Sequence, residues 1–182
     1  MKPDKKYIKI IVILLILGIS GTAIFFLIKF IRSKMSITDQ FKAALKKVVA
    51  KYGLDIASNV EKIFRLETAN FTSGQFKGTF SPGMEKATNT YPFGWTSLGN
   101  SVWKENPQYA PHDFLPFTEN ATGKTKYFIK FPSLEASVMT IAQFLKNVNN
   151  NPGRWYSMEP DLQEEYAAKL SNIKPSLLNE IV

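Results

Sequence analysis

Residues 10–28 contain no charged side chain, and this stretch constrains the chain more than any other. As a helix it spans about 28 Å, close to the thickness of a hydrocarbon core. It has no charged face to turn toward water, so a buried soluble helix suits it poorly. Lys5, Lys6 and Lys9 flank one side, and Lys29, Arg32 and Lys34 the other. The run is longer than the usual apolar core of a signal peptide, and it lacks a convincing small-residue cleavage site before Lys29. The expectation is an uncleaved, single transmembrane helix within residues 1–34 that holds the protein to a lipid bilayer. One domain over residues 35–182 would follow, long enough to bury a core. Both flanks are basic, so charge leaves the membrane orientation open.

The net charge of +8 belongs mostly to that first segment, where seven basic residues face Asp4 alone. The rest of the chain is close to neutral, which argues against a nucleic-acid partner. The absence of cysteine removes disulfide and thiolate chemistry. Fourteen Phe, seven Tyr and three Trp suit a packed core with an aromatic-walled groove.

Helical periodicity organises the domain. Ile37, Phe41, Leu45, Val48 and Tyr52 trace one face of a helix over residues 35–51, with Ser36 or Thr38 as its cap and Gly53 as its stop. Its lysines 42, 46, 47 and 51 read as a solvated face. Ile56, Val60, Ile63 and Phe64 predict a second helix over residues 55–70. Residues 114–118 and 125–131 are strand-like around Glu119-Asn120-Ala121-Thr122-Gly123 and predict a β-hairpin. Ser133 is placed to cap a helix with Val138, Ile141, Ala142 and Leu145 on its buried stripe. Asp161-x-x-Glu164 has the spacing of a capping box and predicts a helix through Ile173, and Pro175 opens a last short one. The fold class expected is α+β, mainly α, with a small β lobe.

The second helix runs into Phe64-Arg65-Leu66-Glu67-Thr68-Ala69-Asn70-Phe71-Thr72-Ser73. Glu67 lies at the edge of the apolar stripe, where partial burial would keep its carboxyl protonated to higher pH. A general acid that protonates a leaving oxygen near neutrality needs that property. Other mechanisms are excluded or poorly supported, a Ser-His-Asp triad having His112 as its single candidate base. The chain has no phosphate-binding loop and no GxGxxG, and His112 is its one histidine, so a histidine-rich zinc site is impossible. Carboxylates beside aromatic side chains are what remains, and glycoside cleavage uses that set.

Four segments, in order, resemble the peptidoglycan N-acetylglucosaminidases of glycoside hydrolase family 73. Leu66-Glu67-Thr68-Ala69-Asn70-Phe71-Thr72-Ser73 is similar to the family's catalytic-helix signature. Tyr91-Pro92-Phe93-Gly94-Trp95 looks like its Asn-Leu-Phe-Gly segment, with Trp95 where a smaller residue is common. Phe128-Ile129-Lys130-Phe131-Pro132-Ser133-Leu134-Glu135 resembles its strand-into-helix passage. Trp155-Tyr156-Ser157-Met158-Glu159-Pro160 and Tyr166-Ala167-Ala168-Lys169-Leu170 look like its Tyr-Ala-Thr-Asp-Pro and Tyr-Ala-x-Lys-Leu pair, with a three-residue insertion between them.

The resemblance implies a lysozyme-like fold and cleavage of the β-1,4 glycan strands of peptidoglycan, with no cofactor or metal. Glu67 would be the general acid and Tyr156 a tyrosine near the reaction centre. Phe93, Trp95 and Ser73 would bind substrate. The family's second carboxylate sits on the β-lobe hairpin and varies in position; Glu119 is favoured here, with Asp113 behind it. Without either, the same fold and one glutamate suit a lytic transglycosylase, in which the sugar's own 6-hydroxyl attacks. A further alternative is a bacteriophage virion or wall-binding structural protein with little turnover.

Overall fold

The computed structural model describes residues 35–83, 103, 105–111, 113–118 and 123–182. The expected span at residues 10–28, the loop residues Phe93 and Trp95, and Glu119 lie outside them. Among the described residues no helix is long and apolar enough to cross a membrane. They are mainly helical with one two-stranded antiparallel sheet.

Helix α1, Ile37–Tyr52, begins where Ser36 Oγ accepts from the Asp39 amide at 3.1 Å. Gly53, at φ 89°, ends it and at once starts α2, Leu54–Glu67. The turn is sharp because glycine adopts a positive φ without strain. The apolar faces of both helices meet as the spacing predicts: Phe41, Leu45 and Val48 pack with Val60, Ile63 and Phe64, all fully buried. The lysine face of α1 is more engaged than a solvated face would be. Lys42 pairs with Glu180 and Lys47 with Glu135.

Short α3, Gly74–Thr79, is capped by Ser73 and brings Phe76 into the core. There Phe41, Phe64, Phe71 and Phe76 form a chain of ring contacts with centroids 4.8–6.0 Å apart. Such edge and tilted pairs add to what burial alone contributes.

Strands β1, Asp113–Thr118, and β2, Thr125–Lys130, form the expected hairpin, with Phe114 opposite Ile129 and Thr118 opposite Thr125. The chain leaves the hairpin through Phe131, whose amide donates to the Thr79 carbonyl at 2.9 Å and so fastens the β lobe to α3. Helix α4, Leu134–Asn147, starts at Ser133 and lies against α1 and α2. It is buried on more than the expected stripe, since every residue from Ala136 to Leu145 is enclosed.

The last third differs from expectation in its caps. Helix α5, Gly153–Tyr156, is followed by α6, Pro160–Ser171, and α7, Ser176–Asn179. The capping box at Asp161 and Glu164 does not form: the cap is Glu159, without a side-chain bond, and Pro160 occupies the first turn. Proline needs no amide partner and presets φ for the helix, so the start can do without a box. The helix stops at Ser171, short of Ile173.

Candidate active site

The α2 helix ends on Glu67 because the chain turns left-handed one residue beyond it, after Thr68. Thr68, fully buried, donates through Oγ1 to the Phe64 carbonyl and accepts from the Phe71 amide at 2.8 Å. Ala69, Asn70 and Phe71 then have φ values of 48°, 55° and 68°. Three consecutive non-glycine residues in this region cost roughly 1–2 kcal/mol each. The turn is held from several sides. The Asn70 amide donates to the Arg65 carbonyl at 2.9 Å, and the Thr72 and Ser73 amides both donate to the Thr68 carbonyl. The Phe71 ring is locked in the core between Phe41 and Phe76. The turn lets the helix stop with Glu67 at its lip, so that the acid does not continue into the packed interior.

The Glu67 side chain is half-buried and has an asymmetric environment. Oε1 accepts a hydrogen bond from Tyr166 Oη at 2.6 Å. Oε2 faces Gly83, where a Cβ would come within 3.2 Å of it. Gly83 also has φ +80°, so both its shape and its backbone suit glycine alone. Burial pushes the Glu67 carboxyl above its ordinary value, and the Tyr166 hydrogen bond and the charge of Lys169 pull it partly back. Its place at a helix C-terminus, where the dipole disfavours negative charge, acts in the same direction as burial. Burial and the neighbouring Glu67 push the Tyr166 phenol well up, so it stays a donor across the working pH range.

Tyr166 is itself buried on α6, and its ring stacks on Tyr156 of α5 with centroids 5.1 Å apart and planes 5° from parallel. Tyr156 is 47% exposed, with one ring face on Tyr166. The two helices reach this spacing because Gly153 has no side chain: a Cβ there would lie 2.6 Å from the Gln163 carbonyl oxygen.

Of the residues expected from sequence, the structure therefore links Glu67 and Tyr156, through Tyr166. Ser73 is spent on structure: its Oγ accepts from the Phe76 amide at 3.3 Å. Asp113 is exposed on β1, and its Oδ1 accepts from the Phe114 amide at 2.8 Å. Sequence reasoning missed Tyr166 and Gly83 as site residues. A signal for the first existed, because Tyr166 and Leu170 share the buried face of α6, and a buried phenol needs an acceptor. Among the described residues no His, Asp and Glu cluster could hold a metal ion.

The arrangement can donate a proton. A half-buried carboxyl has its pKa raised by burial, one of its oxygens is fixed by a phenol, and that phenol stacks on a half-exposed tyrosine. Comparison with known protein families, with curated proteins and with solved structures yields no match.

Proposed function

We propose that the protein is a membrane-anchored peptidoglycan hydrolase of the N-acetylglucosaminidase type, in a lysozyme-like domain, with Glu67 as general acid. The observation that carries this is the Glu67–Tyr166 pair: a carboxyl raised by burial and oriented by a 2.6 Å hydrogen bond. Glu67 protonates the glycosidic oxygen as the bond to the anomeric carbon breaks. With Oε1 held by Tyr166, Oε2 is the oxygen free to deliver the proton. Tyr156 offers its outer face to a sugar ring, and Phe93 and Trp95 are the further sugar-binding residues that the resemblance implies. Glu119, the second carboxylate favoured from the resemblance, activates the water that attacks the sugar. Residues 10–28 hold the domain to the bilayer, facing the wall, in a cell envelope or in a bacteriophage virion or host membrane.

A lytic transglycosylase is the second reading, and one observation favours it. Asp113 Oδ1 accepts from the amide of the next residue, Phe114, so its carboxylate is engaged on β1, and a one-acid scheme needs no second carboxylate. A transglycosylase needs one acid, with the 6-hydroxyl of the substrate as nucleophile and an anhydro sugar as product.

The test is digestion of purified peptidoglycan by the full chain in mild detergent, with Glu67→Gln alongside and mass spectrometry of the products. Reducing N-acetylglucosamine ends that vanish in the variant are the expected result. Anhydro-muramyl ends that vanish in the variant would move the assignment to the transglycosylases. No products from folded wild type would leave a binding or structural role.

A further inference from the structure

Arg65 lies two residues before Glu67 on α2, and its guanidinium makes contacts in three directions. Nε donates to Glu61 Oε1 at 2.7 Å, Nη1 to Asn70 Oδ1 at 3.2 Å, and Nη2 to Ser176 Oγ at 2.7 Å. Its Cζ sits 5.6 Å from the centroid of the Phe71 ring. Two of the three residues in the left-handed turn are thus held by this one side chain. Glu61, fully buried, is held in turn by the start of α7: its carboxylate accepts from the Leu177 amide at 2.9 Å and the Leu178 amide at 2.7 Å. The C-terminal segment is tied down again by Lys42 to Glu180.

This network is more than a surface ion pair needs. A planar guanidinium spreads its donors over three nitrogens at fixed angles and so reaches partners on different sides, where a lysine offers one compact ammonium. The strained turn it braces follows Glu67 directly and determines where α2 releases the acid. A strained backbone persists only where its surroundings over-determine it.

We infer that Arg65 is a positioning residue for Glu67, and that the C-terminal helix completes the site by holding the Arg65 guanidinium through Ser176 and Glu61. The inference rests on the reading of Glu67 as the acid. The C-terminal segment touches no substrate in this scheme. It acts on the acid through the Ala69–Phe71 turn, so losing it loosens the geometry of proton delivery and leaves the substrate groove unchanged.

The experiment compares full-chain wild type, Arg65→Lys and Ser176→Ala in mild detergent, with Ile141→Val as a core variant of similar modest destabilisation. The readouts are kcat and KM on purified peptidoglycan, thermal melting, and the backbone carbon shifts of Ala69, Asn70 and Phe71, which report a left-handed turn directly. Misplaced catalytic groups cost up to about a hundredfold in rate. Arg65→Lys should lower kcat about tenfold with KM near wild type, Ser176→Ala about threefold, and both should move the three turn shifts. Ile141→Val should lower melting alone. Unchanged kcat and unchanged turn shifts in both variants, with lowered melting, would overturn the inference and leave Arg65 a stability residue. Should Arg65→Lys not fold, Ser176→Ala decides by the same readouts. If wild type releases no glycan products, the reading of Glu67 as acid fails, while the turn shifts still show whether Arg65 and Ser176 hold the turn.

Discussion

Tyr166 and Glu67 stand 99 positions apart in the chain, yet the phenol donates to the carboxylate at 2.6 Å. The bond holds one oxygen of the acid and stabilises its charged form. Burial opposes that stabilisation and prevails, since the net displacement of the carboxyl is upward. The site is therefore a balance between a desolvated acid and one well-placed donor.

Replacing Tyr166 with Phe removes the donor and keeps the ring stack. The Glu67 carboxyl should then rise further, and the alkaline limb of the pH–rate profile should move to higher pH. The maximal rate should fall because Oε1 is no longer fixed. A pH–rate series on peptidoglycan fragments checks both. A limb that moves to lower pH would show that Tyr166 does not stabilise the carboxylate.

Glu67→Gln should remove activity by about 10²–10⁴-fold, the usual contribution of a general acid, with the fold intact by circular dichroism. Its stability should depend on pH in a definite sense. A carboxyl raised in the folded state adds stability below its ordinary range and loses it as pH rises through the folded value. The variant should therefore gain on wild type between mildly acidic and neutral pH, by urea denaturation at matched pH. Wild type gaining on the variant as pH rises over that interval would have the wrong sign.

Gly83→Ala places a methyl 3.2 Å from Glu67 Oε2, at a φ of +80°. The backbone effect alone should cost about 1 kcal/mol or more of stability. The methyl also crowds the oxygen that delivers the proton, so kcat should fall by more than the lost folded fraction accounts for. Rate per folded molecule, with folding measured by melting curves, separates the two effects.

Gly153→Ala should push α5 away from α6, because the new methyl would lie 2.6 Å from the Gln163 carbonyl oxygen. A cost of about 1–3 kcal/mol is expected for overpacking. The Tyr156–Tyr166 stack spans the same two helices, so near-ultraviolet circular dichroism should change along with the melting temperature. Lowered melting with an unaltered aromatic spectrum would show that the stack does not depend on this contact.

Glu61→Ala removes a fully buried carboxylate and leaves Arg65 Nε and two amides of α7 without their acceptor. Breaking one side of a buried pair costs about 3–5 kcal/mol. Urea denaturation should show a loss of that order, larger than for any exposed lysine on α1.

Much of the helical framework was legible because short-range physics sets it. The stripe Phe41, Leu45, Val48, the caps at Ser36 and Ser133, and the hairpin itself all follow from periodicity and local hydrogen bonding. Glu67 was legible as a candidate from its place at the edge of an apolar face. Local rules also misled once, at Asp161 and Glu164, where a proline start made the capping box unnecessary.

What the sequence by itself determined was the main helices and the hairpin, the apolar stripes of α1 and α2, and an acid at the end of α2. Which groups surround that acid was decided only in three dimensions. Tyr166, Gly83 and Arg65's partner Ser176 come from separate segments, and nothing in their local spacing requires them to meet. Their meeting depends on how the helices close over a shared aromatic core, and a contact between distant segments has no periodic signature in the chain. The buried Glu61 makes the same point. In a pattern of apolar positions it reads as a charge on a solvated face, and only the arrival of the Leu177 and Leu178 amides makes its burial tolerable.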